Sequence, residues 1–129
     1  MDSKLINKIK HKAQLKREKE LHKVFELIAS GVEVLRPEQL YIYGKFICGK
    51  GVQIDANVII KGNVELGDDV TIGANCILKD CTIGKGTTIN PFSLVEGATI
   101  GNDCFIGPYG RIRPDVLIED SVSVGNFVE

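Results

Sequence analysis

Five positions that recur every 17 or 18 residues carry the side chains with which this sequence could do chemistry. They are Tyr43, Lys61, Lys79, Glu96 and Arg113. We interpret them as a charged ridge along one edge of a repetitive fold, with Arg113 as its candidate ligand-binding residue. The alternative is that Arg113 pairs with Glu96 on the surface, an interaction that contributes little to stability. Both histidines, His11 and His22, precede the ridge, so the commonest general base is absent from its surroundings.

The fold that would align these side chains is indicated by an aliphatic residue or cysteine that returns every six residues, with only two steps of five. The positions are Ile42, Cys48, Ile54, Ile60, Leu66, Ile72, Leu78, Ile83, Ile89, Val95, Ile100, Ile106, Ile112, Ile118 and Val124. Such short repeats are typical of a parallel β-helix, in which neighbouring turns bury each other's apolar side. With three repeats per turn, the pattern predicts an all-β class and about five turns.

Two further columns support this register. Glycine often follows the first residue of a repeat, as at Gly67 and Gly73, and we expect these corner positions to need positive φ. Small or β-branched residues lie four places after the first residue, which predicts inward side chains there, including Thr82 and Thr99 in the two shortened repeats. Those two repeats lie 17 residues apart, which places them on the same side of adjacent turns.

Residues 1–40 differ in kind and form a predicted helical arm and linker, whereas residues 41–129 form the β-helix. The arm carries nine Lys/Arg and six Asp/Glu, and the repeats carry seven and eleven. An apolar stripe ending near Ile28, followed by Gly31 and Pro37, predicts a helix over about residues 14–30 that could begin as early as residue 4. The basic cluster of the arm could contact an acidic surface, or form an ordinary solvated helix face.

Composition narrows the classes of function. A net charge of −1 argues against nucleic acid as a main partner, and the absence of a long apolar run or signal peptide argues against a membrane. The four cysteines lack the spacing of a metal site, and we predict no metal ligands. Reduced thiols in inward positions favour the cytoplasm.

Three segments resemble one known family: IDANVIIKGNV (residues 54–64), IGPYGRIRP (residues 106–114) and VGNFVE (residues 124–129). That family is the bifunctional N-acetylglucosamine-1-phosphate uridyltransferase/glucosamine-1-phosphate acetyltransferase, which makes UDP-N-acetylglucosamine for the cell envelope. The arm also resembles its interdomain helix. The resemblance covers nearly the whole chain, and corresponds to the linker and the first half of the family's acetyltransferase β-helix.

The resemblance implies a left-handed β-helix, a homotrimer, and acetyl transfer from acetyl-CoA to glucosamine 1-phosphate at subunit boundaries. It maps a substrate-phosphate contact onto Arg113 and a weaker substrate contact onto Glu129. The family's next lysine, its general-base histidine and its acetyl-CoA contacts have no counterpart in this sequence. We therefore predict no catalytic residue and no cofactor bound by the residues present, but a possible sugar phosphate or UDP-sugar ligand.

Three functions follow. The first is a partial acetyltransferase domain, a trimer-forming scaffold that is inactive alone, because the sequence stops within a repeat as a fragment or natural truncation would. The second is a freestanding trimeric interaction module whose basic arm recruits a partner. The third is one half of a split acyltransferase that a second chain completes.

Overall fold

The computed structural model describes residues 2–125, which form a long N-terminal helix followed by a parallel β-solenoid of about five turns. The helix α1 spans Ser3–Ala29, and a short 3-10 turn spans Pro37–Gln39. The strands are β1 (Glu33–Val34), β2 (Leu40–Cys48), β3 (Gln53–Ile54), β4 (Val58–Leu66), β5 (Thr71–Ile72), β6 (Ile77–Ile83), β7 (Thr88–Ile89), β8 (Leu94–Glu96), β9 (Thr99–Ile100), β10 (Phe105–Ile106), β11 (Arg111–Ile112), β12 (Leu117–Ile118) and β13 (Ser123–Val124). The predicted β-helix with a helical arm is confirmed.

Helix α1 begins earlier than its apolar stripe indicates. The Asp2 carboxylate accepts a hydrogen bond from the Lys4 backbone N–H at 2.9 Å and so caps the first turn. At the other end, Gly31 adopts φ +108°, and the Val32 N–H donates to the Leu27 carbonyl at 3.1 Å. This is a Schellman ending, for which glycine is the favoured residue. The caps therefore set both ends of the helix, and only the second was evident from the stripe.

The solenoid has three faces, each a column of parallel strands. Face 1 contains β1, β3, β5, β7, β10 and β13. Face 2 contains the first halves of β2, β4 and β6 with β8 and β11, and face 3 contains their second halves with β9 and β12. On face 1, Ile54 lies in register with Ile72, and Ile72 with Ile89. The predicted stacking of inward aliphatic residues is confirmed, and these three side chains are almost fully buried.

The inward residues of the two shortened repeats differ from the prediction. Thr82 and Thr99 are exposed, whereas Cys81 and Ala98, one place earlier, are each 3% exposed. The missing residue is at the corner, where the register between β4 and β6 shifts between Lys61 and Val64. Because the corner is shorter by one residue, the inward position comes one residue sooner. The pairing of Thr82 with Thr99 confirms that both shortened repeats lie on the same side of adjacent turns.

Most of the recurring corner glycines serve close approach between turns, and Gly107, at φ +79°, is the member of the column that has positive φ. A Cβ at Gly67 would lie 2.7 Å from the Lys85 backbone nitrogen, and one at Gly73 would lie 2.7 Å from the Pro91 ring. Neither glycine has positive φ. In full-length corners the left-handed residue is usually the third after the inward aliphatic, as at Asn57 and Asn75. The predicted positive φ is therefore wrong for this glycine column apart from Gly107, although its position at the corners is correct.

Helix α1 covers the N-terminal end of the solenoid. Val24 on the helix is 1% exposed and joins the apolar core of the first turn. The Arg17 guanidinium lies 4.6 Å from the centre of the Tyr41 ring and donates to the Glu38 and Leu40 carbonyls at 3.0 Å each. Within residues 2–125, no helix combines the length and apolar character needed to cross a bilayer.

Candidate functional site

The charged ridge predicted from the sequence lies along the edge between faces 2 and 3. Tyr43 pairs in register with Lys61, Lys61 with Lys79, and Lys79 with Glu96. Arg113 directly follows β11, whose Ile112 pairs with Val95, so it occupies the next level of the same edge. The five side chains are brought together because the turns stack at one strand spacing, about 4.8 Å.

The ridge is solvent-exposed apart from Glu96, which is half-buried, and it is mostly cationic. The Lys79 ammonium lies 3.8 Å from the Glu96 carboxylate, in a pair whose side chains are 48% and 39% exposed. An exposed pair of this kind contributes little stability. Arg113 is exposed and stands one turn beyond Glu96, between β11 and the Pro114 corner. A planar guanidinium in this position is suited to a phosphate, which it can bind through two parallel hydrogen bonds.

The remaining candidate groups lie elsewhere. Glu129 lies outside the described residues. His11 and His22 are on α1, and the His22 Nε2 atom is 3.1 Å from the Glu26 carboxylate in an exposed pair. Among residues 2–125, no group of three or more His, Cys, Asp or Glu side chains could hold a metal ion. The described part of the ridge therefore offers charge recognition.

Face 2 carries an apolar ladder on its outer surface. Its outward side chains in successive turns are Tyr41, Ile59, Ile77, Leu94 and Arg111. The first four are only half-buried in the single chain. The corresponding side chains on face 1 are mostly polar, as at Gln53, Thr71 and Thr88. Face 2 is therefore the more apolar of these two outer surfaces.

The edge between faces 1 and 2 carries a feature that we did not predict. The Phe92 and Tyr109 rings stack with centroids 5.1 Å apart and planes 8° apart. They are 52% and 46% exposed, and we call the pair the aromatic edge. Both residues lie three places after an inward isoleucine, at the corner position that holds Asn57 and Asn75 in earlier turns. Comparison of that column across the repeats would have found the pair.

The cysteines belong to the core. Burial raises the pKa of the Cys48 thiol to about 12 and that of Cys81 to about 12. Burial is also the main reason that the pKa of Cys76 rises to about 11, with a smaller contribution from the charge of Asp55. All four cysteines are free thiols. Because a thiol must ionise to act as a nucleophile, these three are poor nucleophiles at neutral pH.

The sequence of residues 42–128 matches the family model described as the GMPPB C-terminal domain. The chain belongs to this family. Three curated relatives are each named bifunctional protein GlmU. The protein of Aromatoleum aromaticum is 44% identical over 124 residues, which cover 94% of this chain and 27% of that protein. The protein of Pseudoalteromonas atlantica is 43% identical over 124 residues, which cover 96% of this chain and 27% of that protein.

A third relative, from Nitrosospira multiformis, is 49% identical over 104 residues, which cover 81% of this chain and 23% of that protein. This member of the GMPPB C-terminal domain family thus spans about a quarter of the length of its curated relatives. The resemblance to the bifunctional family, inferred above from three segments, is confirmed. It includes α1, because the two 124-residue matches cover more of the chain than the β-helix alone.

Two solved structures share the solenoid fold. Both are mutants of the perosamine N-acetyltransferase of Caulobacter crescentus in complex with CoA and GDP-perosamine. One aligns with a TM-score of 0.55 at 20% identity, and covers 74% of this chain and 54% of that chain. The other aligns with a TM-score of 0.54 at 17% identity, and covers 82% of this chain and 62% of that chain. At these identities the likeness concerns the fold alone.

Proposed function

We propose that this chain is the trimer-forming part of an acetyltransferase domain of the type that serves UDP-N-acetylglucosamine synthesis. Arg113 binds the phosphate of the sugar substrate, and the protein works in the cytoplasm. The observation that carries the proposal is the 44% identity to a bifunctional protein GlmU over almost the whole chain, helix and solenoid together.

The position of Arg113 supports the phosphate contact. It extends a ridge that already holds Lys61 and Lys79, so the edge attracts anions before any specific contact forms. Its side chain is exposed, and a guanidinium can bind phosphate oxygens in a bidentate manner. Glu96 neutralises part of the charge at the level below, through its ion pair with Lys79. The site therefore selects a small anion at one level of the edge.

The outer surface of face 2 supports the trimer. Ile59, Ile77 and Leu94 lie in register and present an apolar stripe along the prism. Three prisms that face a common axis with this stripe would remove it from water, which stabilises the assembly by about 25 cal/mol per Å² of apolar area. Closed rotational symmetry is the usual outcome for such identical subunits.

The 129-residue polypeptide does not itself transfer acetyl groups on this proposal. Attack of a sugar amine on the thioester of acetyl-CoA requires a base that accepts the amine proton. The two histidines of the sequence lie on α1, at His11 and His22. Acetyl transfer that appeared only after a second chain supplied the base would instead support the third function, a split acyltransferase.

The test is binding of glucosamine 1-phosphate, measured by isothermal titration calorimetry with the wild-type chain and the variants Arg113→Ala and Lys85→Ala. Lys85 is an exposed cation at a different corner and serves as the matched control. We expect Arg113→Ala to weaken binding about 10- to 100-fold and Lys85→Ala to change it less than about twofold. Equal affinity in all three proteins would overturn the phosphate contact. Acetyl transfer by the chain alone above background would overturn the inactive-scaffold part.

A further inference from the structure

The aromatic edge is placed on backbone that disfavours aromatic residues. Phe92 has φ +62° and Tyr109 has φ +57°, which is the left-handed region. Side chains other than glycine, asparagine and aspartate adopt this region at a cost of about 1 kcal/mol or more. The same corner position in the two earlier turns is held by Asn57 and Asn75, which fit it well.

Contacts of Phe92 and Tyr109 within the chain offset only part of the free-energy cost of their left-handed backbone. The two rings stack on each other, yet about half of each side chain stays in contact with water. At the earlier corners, the Asn57 side chain donates a hydrogen bond of 2.7 Å to the Asn75 side chain. A stack that needs left-handed backbone and remains half-exposed is typical of a residue pair retained for contact with another molecule.

The aromatic edge and the charged end of the ridge lie at the same two levels of the solenoid. Phe92 precedes β8, whose last residue is Glu96, and Tyr109 and Arg113 lie on either side of β11. Because β8 and β11 belong to face 2, the apolar face separates the two edges. Each of these two levels of face 2 thus has an aromatic residue on one side and a charged residue on the other.

We propose that the Phe92–Tyr109 stack of one copy lies against the Arg113 end of the charged ridge of the next copy and completes the phosphate site there. This inference rests on the proposed trimer. In a three-fold arrangement with face 2 towards the axis, the left edge of each prism meets the right edge of its neighbour. Parallel prisms meet at equal height, so Tyr109 faces the neighbour's Arg113.

The contact has a clear physical role. Aromatic rings attract a guanidinium through their electron-rich faces and shield it from solvent. This contact fixes the direction of the guanidinium. A guanidinium that is held in place and partly shielded from water binds phosphate more tightly than a mobile one, because less side-chain entropy is lost on binding. Tyr109 and Phe92 are therefore positioning residues that act through Arg113.

Asparagine is the informative substitution, because Asn57 and Asn75 already hold the equivalent corner. We expect Tyr109→Asn and Phe92→Asn to fold with thermal stability equal to or above that of the wild type, and to bind glucosamine 1-phosphate about three- to tenfold more weakly. Tyr109→Phe should bind as the wild type does. The matched control is Phe105→Thr on face 1, where Phe105 is 52% exposed and the residue one turn earlier is Thr88. Its affinity should not change.

Mixed trimers test whether the contact crosses the boundary between copies. Chains that carry Arg113→Ala and chains that carry Tyr109→Asn are co-expressed with different tags, and trimers that hold both are isolated. A site between a Tyr109→Asn chain and an Arg113→Ala neighbour can then contain both wild-type side chains. We expect about a third of the sites to regain wild-type affinity in trimers that hold both chains, because one of the three boundaries in each such trimer is complete.

The outcomes separate this inference from the proposed function. Wild-type affinity in Tyr109→Asn and Phe92→Asn, with Arg113→Ala still defective, overturns the aromatic contact and leaves the phosphate site standing. Weakened binding without any recovery in mixed trimers also overturns it, because the effect would then arise within one copy. A monomeric wild-type chain overturns the trimer, and the inference with it.

Discussion

The Glu96 carboxylate lies 3.8 Å from the Lys79 ammonium, one turn of the solenoid above it. This pair places the single acidic side chain of the charged ridge between Lys79 and Arg113. It therefore lowers the positive potential at the level where we propose that a phosphate binds.

Removal of that negative charge should improve anion binding. We expect Glu96→Gln to tighten binding of glucosamine 1-phosphate by about two- to fivefold at low salt, since two charges one turn apart interact by about 1 kcal/mol in water. Thermal stability should change by less than about 0.5 kcal/mol, because the pair is exposed. Titration calorimetry at about 20 mM and about 200 mM salt checks both the gain in affinity and its screening by salt.

The control for that experiment is Glu65→Gln, an exposed acid on face 3. A gain of equal size in both variants would mean that net charge alone controls affinity. Loss of binding in Glu96→Gln would contradict the ridge as the anion site.

Close approach between turns predicts a severe effect at Gly67. A methyl group there would lie 2.7 Å from the Lys85 backbone nitrogen, so Gly67→Ala should cost about 1–3 kcal/mol of unfolding free energy. At Gly125, in the same place of a later repeat, a Cβ meets nothing within 4 Å. Gly125→Ala should therefore be nearly neutral in urea unfolding followed by circular dichroism. Equal losses would show that chain flexibility, not contact, sets the cost.

The buried thiols predict a loss of stability at alkaline pH. Burial raises the pKa of Cys81 from 9.0 to about 12, so the folded state binds its proton more tightly than the unfolded state does. The resulting stability is present below pH 9 and is lost as the pH rises from 9 towards 12, by at most about 1.4 kcal/mol per pH unit. Urea midpoints at pH 8, 9, 10 and 11 measure the slope.

The control for this slope is Cys81→Ala, since alanine already holds the equivalent inward position at Ala98. Its unfolding free energy should fall less steeply above pH 9 than that of the wild type. Parallel slopes for the two proteins would contradict a role for this thiol.

The apolar ladder on face 2 predicts a surface whose disruption separates the copies without unfolding them. Ile77 points outward, so Ile77→Lys should leave the far-ultraviolet circular dichroism unchanged while the mass in solution falls to that of one chain. The loss follows from the cost of placing an ammonium against apolar side chains without a partner. Thr71→Lys on face 1 should keep the wild-type mass. Dissociation by Thr71→Lys, with no effect of Ile77→Lys, would assign the interface to another face.

The stacking of Ile54, Ile72 and Ile89 could be predicted from the sequence because each turn must bury its aliphatic side chain against the next. The same spacing placed Arg113 at one edge with Lys79. Spacing alone did not show which residue a shortened corner removes, so Thr82 was assigned to the interior in place of Cys81. Contact between turns likewise explains a glycine such as Gly67 only when coordinates give the distance.

The aromatic edge shows what was missed at the candidate site. Phe92 and Tyr109 carry no charge, and Tyr109 entered the sequence analysis only as part of the segment 106–114, so a search for charged groups passes over them. Their significance comes from backbone φ, which is positive at both, and from a stack between residues 17 positions apart. Neither quantity is visible in a single sequence without the corner register. The start of α1 at Ser3 lies close to the earliest start that the sequence allowed, residue 4, and one Asp2 hydrogen bond sets it.

The account depends most on the assembly of three copies through face 2, and the mass in solution tests this most directly. Size-exclusion chromatography with multi-angle light scattering should give about 42 kDa, three times the 14.1 kDa of the chain, over a tenfold range of concentration. A stable species of 14.1 kDa across that range would contradict it.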